Sequence, residues 1–315
     1  WDIAGKAAGV PVYKLLGGKV RDKVRVYNGN IRRERTGEKP EDYAADVKWM
    51  MERSENFFMV KQGIGFHSNM KTNVPGFHYG IAQSSNYYHG AMDQGMISER
   101  GMAHMIECVI AMKEVLGDKV GLALDCGPGW MLPDAIRFAR AMEKYNLTWL
   151  EDMLTGDYVP WVNPQAYREL TTSTSTPIHT GEQIYLRHNF KELIETQAVR
   201  VIGPDPADIG GIAELKWVAE YAHMHSILMA PHGVANGPLG LGALINVCAT
   251  LPANYIAFEY PSASDAWWEE LVVGLPKQIV KDSMVDLLEA PGLGLDINAE
   301  AAMKYLREED AGFFD

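Results

Sequence analysis

The 315-residue chain is 47% hydrophobic and 22% charged, an ordinary globular composition with room for one large domain or two. Its net charge of −12 argues against nucleic acid or an anionic membrane surface as the main partner. Cys108, Cys126 and Cys248 are far apart and odd in number, and neither a bilayer-spanning run nor a signal-peptide pattern is present; these features predict a soluble, cytoplasmic protein in a reducing compartment.

Residues 1–23 open at Trp1 without an initiator Met, inside a helix-like pattern, and read as the start of a fragment lacking its true N-terminus. From residue 24 onward, short apolar runs alternate with longer amphipathic ones. Strands are expected at 24–27, 57–61, 120–125, 148–151, 178–181, 201–202, 226–229 and 256–259. Helical patterns lie between them at 40–53, 99–116, 133–145, 164–170, 188–196, 212–223 and 239–249. Pro40, Pro133 and Pro164 fall near helix starts, where a missing N–H costs little. Eight strands with seven intervening helices predict an α/β fold, a closed TIM-like (β/α)7β barrel over 24–261. Two stretches break the rhythm. Residues 63–98 are rich in Gly, Asn, Ser, His and Tyr and too long for an ordinary connection, and 262–315 leave the barrel pattern and are expected to pack outside it.

Three of the expected strands end in an acid: Val120-Gly-Leu-Ala-Leu-Asp125, Leu147-Thr-Trp-Leu-Glu151 and Pro177-Ile-His-Thr-Gly-Glu182. Converging carboxylates repel unless a cation sits among them, and an all-oxygen donor set suits Mg²⁺ better than zinc. Other strand ends add Lys61, Asp205, His232 and Glu259. In a barrel of this kind all of them face the C-terminal mouth, where active sites lie. Lys61 and the metal suit a carboxylate; His232, oriented by Asp205, suits removal of the proton alpha to it. The remaining polar and aromatic residues have plainer readings: Cys126 as a small packed residue, His223 and His225 as structural, and His67, His78 and His89 as loop residues. Trp130 suits pocket lining and aromatic packing equally well.

Together these residues resemble the mandelate racemase/muconate lactonizing branch of the enolase superfamily, over essentially the whole chain. The resemblance implies one Mg²⁺ per site held by Asp125, Glu151 and Glu182, and a catalytic dyad of Asp205, ahead of Ile209-Gly-Gly, with His232. It favours Asp205 over Asp208 as the dyad partner, and makes Glu259 the acid that contacts the substrate carboxylate. It further implies that residues 1–23 join the barrel to an N-terminal α+β capping domain largely absent from this chain, that 262–315 pack on the barrel or that cap, and that the protein is a homo-oligomer.

Two positions depart from the family pattern. Gly63 stands where the racemase has a second lysine, so that Lys61-Gln-Gly63 carries one base rather than two. Gly127 stands where galactonate and mannonate dehydratases have a histidine, in Asp125-Cys-Gly-Pro-Gly. A single histidine suits dehydration of a sugar acid, aldonate or aldarate, to a 2-keto-3-deoxy acid. The alternative is a racemase, epimerase or cycloisomerase acting alpha to a carboxylate; a non-catalytic sugar-acid-binding relative is the reading from another class. The 63–98 segment, with Tyr87, Tyr88 and His89, either supplies a substitute acid or covers the substrate.

Overall fold

The structure, a computed structural model, describes residues 1–80, 95–154, 162–233, 237–260 and 270–314. Among these, eight short strands form the frame: β1 (Lys23–Tyr27), β2 (Met59–Gly63), β3 (Gly121–Asp125), β4 (Leu150–Glu151), β5 (Ile178–Thr180), β6 (Val201–Ile202), β7 (Leu228–Met229) and β8 (Phe258–Glu259). Strands β2 to β7 run parallel in sequence order, and β1 pairs in parallel with β8. Parallel bridges from Asn28 to Val60 and from Met229 to Tyr255 join β1 to β2 and β7 to the approach of β8, closing the ring. The fold is the TIM-like barrel expected from the alternation of elements.

Helices cover the outside: α1 (Asp2–Ala8), α2 (Val12–Leu15), α3 (Pro40–Met51), α4 (Met70–Asn73), α5 (Glu99–Leu116), α6 (Leu132–Met142), α7 (Pro164–Thr172), α8 (Leu186–Glu195), α9 (Ile212–Met224) and α10 (Gly237–Cys248). Their starts use local chemistry. Ser98 caps α5 by accepting from Gly101 N–H, and Asn163 caps α7 by accepting from Ala166 N–H at 3.1 Å. Pro40, Pro133 and Pro164 occupy first-turn positions, where no intrahelical donor is lost. Among the described residues no helix is long and apolar enough to cross a membrane.

Strand alternation sorts the core into two layers. Val60, Leu122, Leu124, Leu150, Ile178, Ile202, Met229 and Phe258 pack outward against the helices. Tyr27, Met59, Ala123, Trp149, Val201, Ala230 and Ala257 form a small cluster inside the barrel. The same period-two rule puts Lys61 two residues beyond Met59, Asp125 beyond Ala123, Glu151 beyond Trp149, His232 beyond Ala230 and Glu259 beyond Ala257. Each of these polar side chains therefore stands on the barrel axis, one layer above the apolar floor.

Strand β2 runs two residues past its expected end, and Gly63 pairs opposite Asp125 in the register. The 63–98 stretch is partly structured: a 3₁₀ turn at Gly65–His67, then α4, then an antiparallel bridge between His78 and Ile97. Tyr87, Tyr88 and His89 lie outside the described residues. Near the C-terminus, β9 (Val272–Val273) pairs with β11 (Asp296–Ile297), and β10 (Met284–Asp286) adds antiparallel to the start of β1. The N-terminal segment meets this region through a Pro11–Gly292 bridge.

Candidate active site

Lys61, Asp125, Glu151, Glu182, Asp205, His232 and Glu259 are all buried, and they meet at the C-terminal mouth of the barrel. Lys61 Nζ is hydrogen-bonded to Glu151 Oε1 and lies 3.2 Å from Glu259 Oε2 and 3.5 Å from Asp125 Oδ2. His232 Nδ1 donates to Asp205 Oδ2 at 2.7 Å. The other Asp205 oxygen accepts from Ala207 N–H at 2.7 Å, so the carboxylate is held at both ends. His232 Nε2 is left facing the site, 3.3 Å from Glu182 Oε2 and 3.7 Å from Glu259 Oε2.

The electrostatics follow from burial and from these pairs. Burial works against charge on Lys61, but Glu151, Glu259, Tyr27 and Asp125 outweigh it and hold the ammonium well above its ordinary range. Burial likewise works against charge on Asp125, yet His67, Lys61, Arg32 and the Gly127 N–H hold that carboxyl down at about 2. For His232, burial opposes the imidazolium, and the Asp205 hydrogen bond with the Glu259 charge reverses the balance and raises its pKa.

Glu151, Asp152 and Glu182 each offer a carboxylate oxygen, and these atoms lie within 4.8 Å of one another. The donors are all oxygen and all buried, which fits a hard divalent cation such as Mg²⁺. Asp125 borders the group, paired with Glu151 across the β3–β4 register. Asp152 was not among the residues expected. Strand alternation would turn it away from Glu151, but it sits at φ 50°, in the left-handed region, and the chain swings its carboxylate back toward the mouth. The Glu151-Asp152 doublet at a strand end is the sequence signal that marks it.

Three further residues form a layer under the site. Trp149 Nε1 donates to Glu151 Oε2 at 2.7 Å, and Tyr27 OH donates to Glu259 Oε2 at 3.4 Å. Tyr27 meets the Trp149 ring edge-on at 5.3 Å, and His179 stacks on its face at 5.0 Å. Trp130, by contrast, packs against Phe66 and Phe138 and donates to Cys126 O, so its part is structural. Cys126 is buried, and burial pushes its thiol well up.

Burial pushes the His179 imidazole down to about 4, from an ordinary value of 6.5. The unfolded chain therefore binds this proton below pH 6.5 and the folded chain does not until about 4. Stability from this group is complete above pH 6.5 and is lost as pH falls toward 4, by about 3 kcal/mol in all. Urea unfolding in EDTA across that window is expected to give a shallower pH slope for His179→Phe than for the wild type. An unchanged slope would assign the acid lability elsewhere.

The enolase C-terminal domain-like family model matches residues 59–302. D-xylonate dehydratase of Haloferax volcanii is 32% identical over 313 residues, 99% of this chain and 68% of the relative. A mandelate racemase/muconate lactonizing enzyme-like protein from Rubrobacter xylanophilus superposes with a TM-score of 0.81 at 34% identity, covering 98% of this chain and 75% of that one. An enolase from Pantoea ananatis, solved with bound D-gluconate and Mg, gives a TM-score of 0.77 at 26% identity, over 98% and 72% of the two chains. By the span of the family match and the extent of these similarities, the chain belongs to the enolase C-terminal domain-like family.

Proposed function

We propose that the protein is a Mg²⁺-dependent hydro-lyase that dehydrates a sugar acid, an aldonate or aldarate, to a 2-keto-3-deoxy acid. The observation that carries this reading is the His232–Asp205 pair facing Lys61 and a cluster of buried carboxylates within one mouth. Supporting it are the similarity to a D-xylonate dehydratase and to a structure with bound D-gluconate and Mg.

Asp125, Glu151 and Glu182 would hold the cation; the oxygens of Glu151 and Glu182 cluster with that of Asp152, and Asp125 borders them. When bound, Mg²⁺ supplies positive charge against the negative charge that develops on the substrate carboxylate. Lys61 receives that carboxylate, and Glu259, fixed by Lys61 and Tyr27, bears on the same end of the substrate. Asp205 accepts a hydrogen bond from His232 Nδ1–H, which fixes the tautomer and leaves Nε2 free to accept the alpha proton. The departing beta-hydroxyl leaves as water once it takes a proton from an acid at the mouth. We place the reaction in the cytoplasm and in a homo-oligomer; the buried free thiols of Cys108, Cys126 and Cys248 support a reducing compartment.

The test is a screen of aldonates and aldarates, D-xylonate and D-gluconate among them, with Mg²⁺ and semicarbazide detection of 2-keto-3-deoxy products. Turnover of at least one sugar acid is expected. Exchange of the alpha proton with solvent deuterium without keto product would indicate a racemase or epimerase instead. Tight binding with neither outcome would mark a non-catalytic sugar-acid-binding protein.

A further inference from the structure

Two glycines border the site on the β2–β3 side, and the same residue fills the space beside both. A Cβ on Gly63 would lie 2.6 Å from the His67 carbonyl oxygen and 2.9 Å from His67 Cδ2. A Cβ on Gly127 would lie 2.6 Å from His67 N. The turn that carries His67 is pinned in place: its N–H donates to Cys126 O at 3.2 Å, Phe66 N–H to the same oxygen at 3.0 Å, and Ile64 N–H to Asp125 O at 2.8 Å. The His67 ring is about two-thirds buried, with Nδ1 3.3 Å from Asp125 Oδ1. It is a basic side chain on a fixed backbone at the rim, rather than a residue of a wandering loop.

Its place in the ring gives it a function. His67 stands beside the end of β3, and His232 follows β7, four strands away around an eight-stranded barrel. Lys61 lies between them, 3.5 Å from Asp125 on one side and 3.2 Å from Glu259 on the other. We infer that His67 is a further catalytic residue, which protonates the departing beta-hydroxyl from the face opposite His232. This deepens the dehydratase reading and rests on it. His232 takes the alpha proton, the Cβ–O bond breaks with its electron pair on oxygen, and the His67 proton completes a water molecule. The enol left behind tautomerises to the keto acid, His232 releases its proton to solvent, and His67 takes one up. Elimination then proceeds anti, and His232 need not act twice.

The experiment compares the wild type with His67→Asn and His67→Gln on D-xylonate and on its 3-deoxy-3-fluoro analogue. Fluoride leaves without being protonated, so its loss does not need an acid. With the hydroxyl substrate kcat is expected to fall at least about 10²-fold, the low end of what a positioned general acid contributes. With the fluoro analogue, fluoride release and alpha-proton exchange in D₂O are expected to stay within a few-fold of wild type. Equal losses on both substrates, together with a smaller Mg²⁺-induced rise in melting temperature, would overturn the inference and leave His67 as a support for Asp125. Unchanged kcat would overturn it outright. If the wild type dehydrates neither D-xylonate nor any other sugar acid, it is the dehydratase reading that has failed.

Discussion

Replacing His232 with asparagine is expected to lower both dehydration and alpha-proton exchange by about 10²–10⁴-fold, the range a positioned general base supplies. Asparagine retains a donor for Asp205 but has no nitrogen that can accept a proton, so the pairing survives while the chemistry does not. Asp205→Asn probes the same step differently. It leaves the imidazole in place but removes the acceptor that fixes Nδ1–H, so the ring loses its enforced tautomer. Both variants are expected to keep the Mg²⁺-induced rise in melting temperature, because neither residue belongs to the Glu151, Asp152 and Glu182 oxygen cluster. Dehydration by His232→Asn at the wild-type rate would remove His232 from the mechanism. Exchange lost while dehydration persists would mean that the two readouts use different bases.

The barrel was legible because each strand is a short apolar run, and five of the mouth residues lie two positions beyond an inward-facing apolar one. That is why Lys61, Asp125, Glu151, His232 and Glu259 could be read in sequence and are found on one layer. The path of the backbone past the strand ends was not legible. Asp152 follows an inward-facing residue, so alternation assigns it outward, and only a left-handed turn returns it to the site. His67 looked like an ordinary loop residue because its position depends on Gly63 and the distant Gly127 leaving space and on Cys126 O holding the turn. Gly63 and Gly127 were legible as missing side chains; the histidine that occupies the space beside them was not. Trp149 and His179 lie on expected strands, and their link to Glu151 emerges only from the ring stack inside the barrel.

The second large effect belongs to Lys61. The residue is buried and its ammonium is shared by Glu151, Glu259 and Asp125, so it offsets the charge of all three. Lys61→Met keeps a long unbranched side chain and removes that charge. Breaking a buried ion pair from one side strands the other partner, at a cost of roughly 3–5 kcal/mol. In EDTA at neutral pH the variant is therefore expected to unfold at distinctly lower urea than the wild type. The deficit should shrink on acidification, because carboxylates that take up protons no longer need a counter-charge. It should also shrink in Mg²⁺, so that the metal stabilises the variant by more than it stabilises the wild type. On the proposed mechanism turnover should be lost even with Mg²⁺ bound, since a cation among these acids would restore charge to the cluster but leave no ammonium on β2 to receive the substrate carboxylate. Equal stability of the two proteins in EDTA would mean that the carboxylates are neutralised by protons rather than by Lys61. Equal Mg²⁺ increments would mean that the lysine and the metal answer to different acids. Recovery of stability in Mg²⁺ without recovery of turnover would separate the two duties of Lys61, holding the empty site together and binding the substrate.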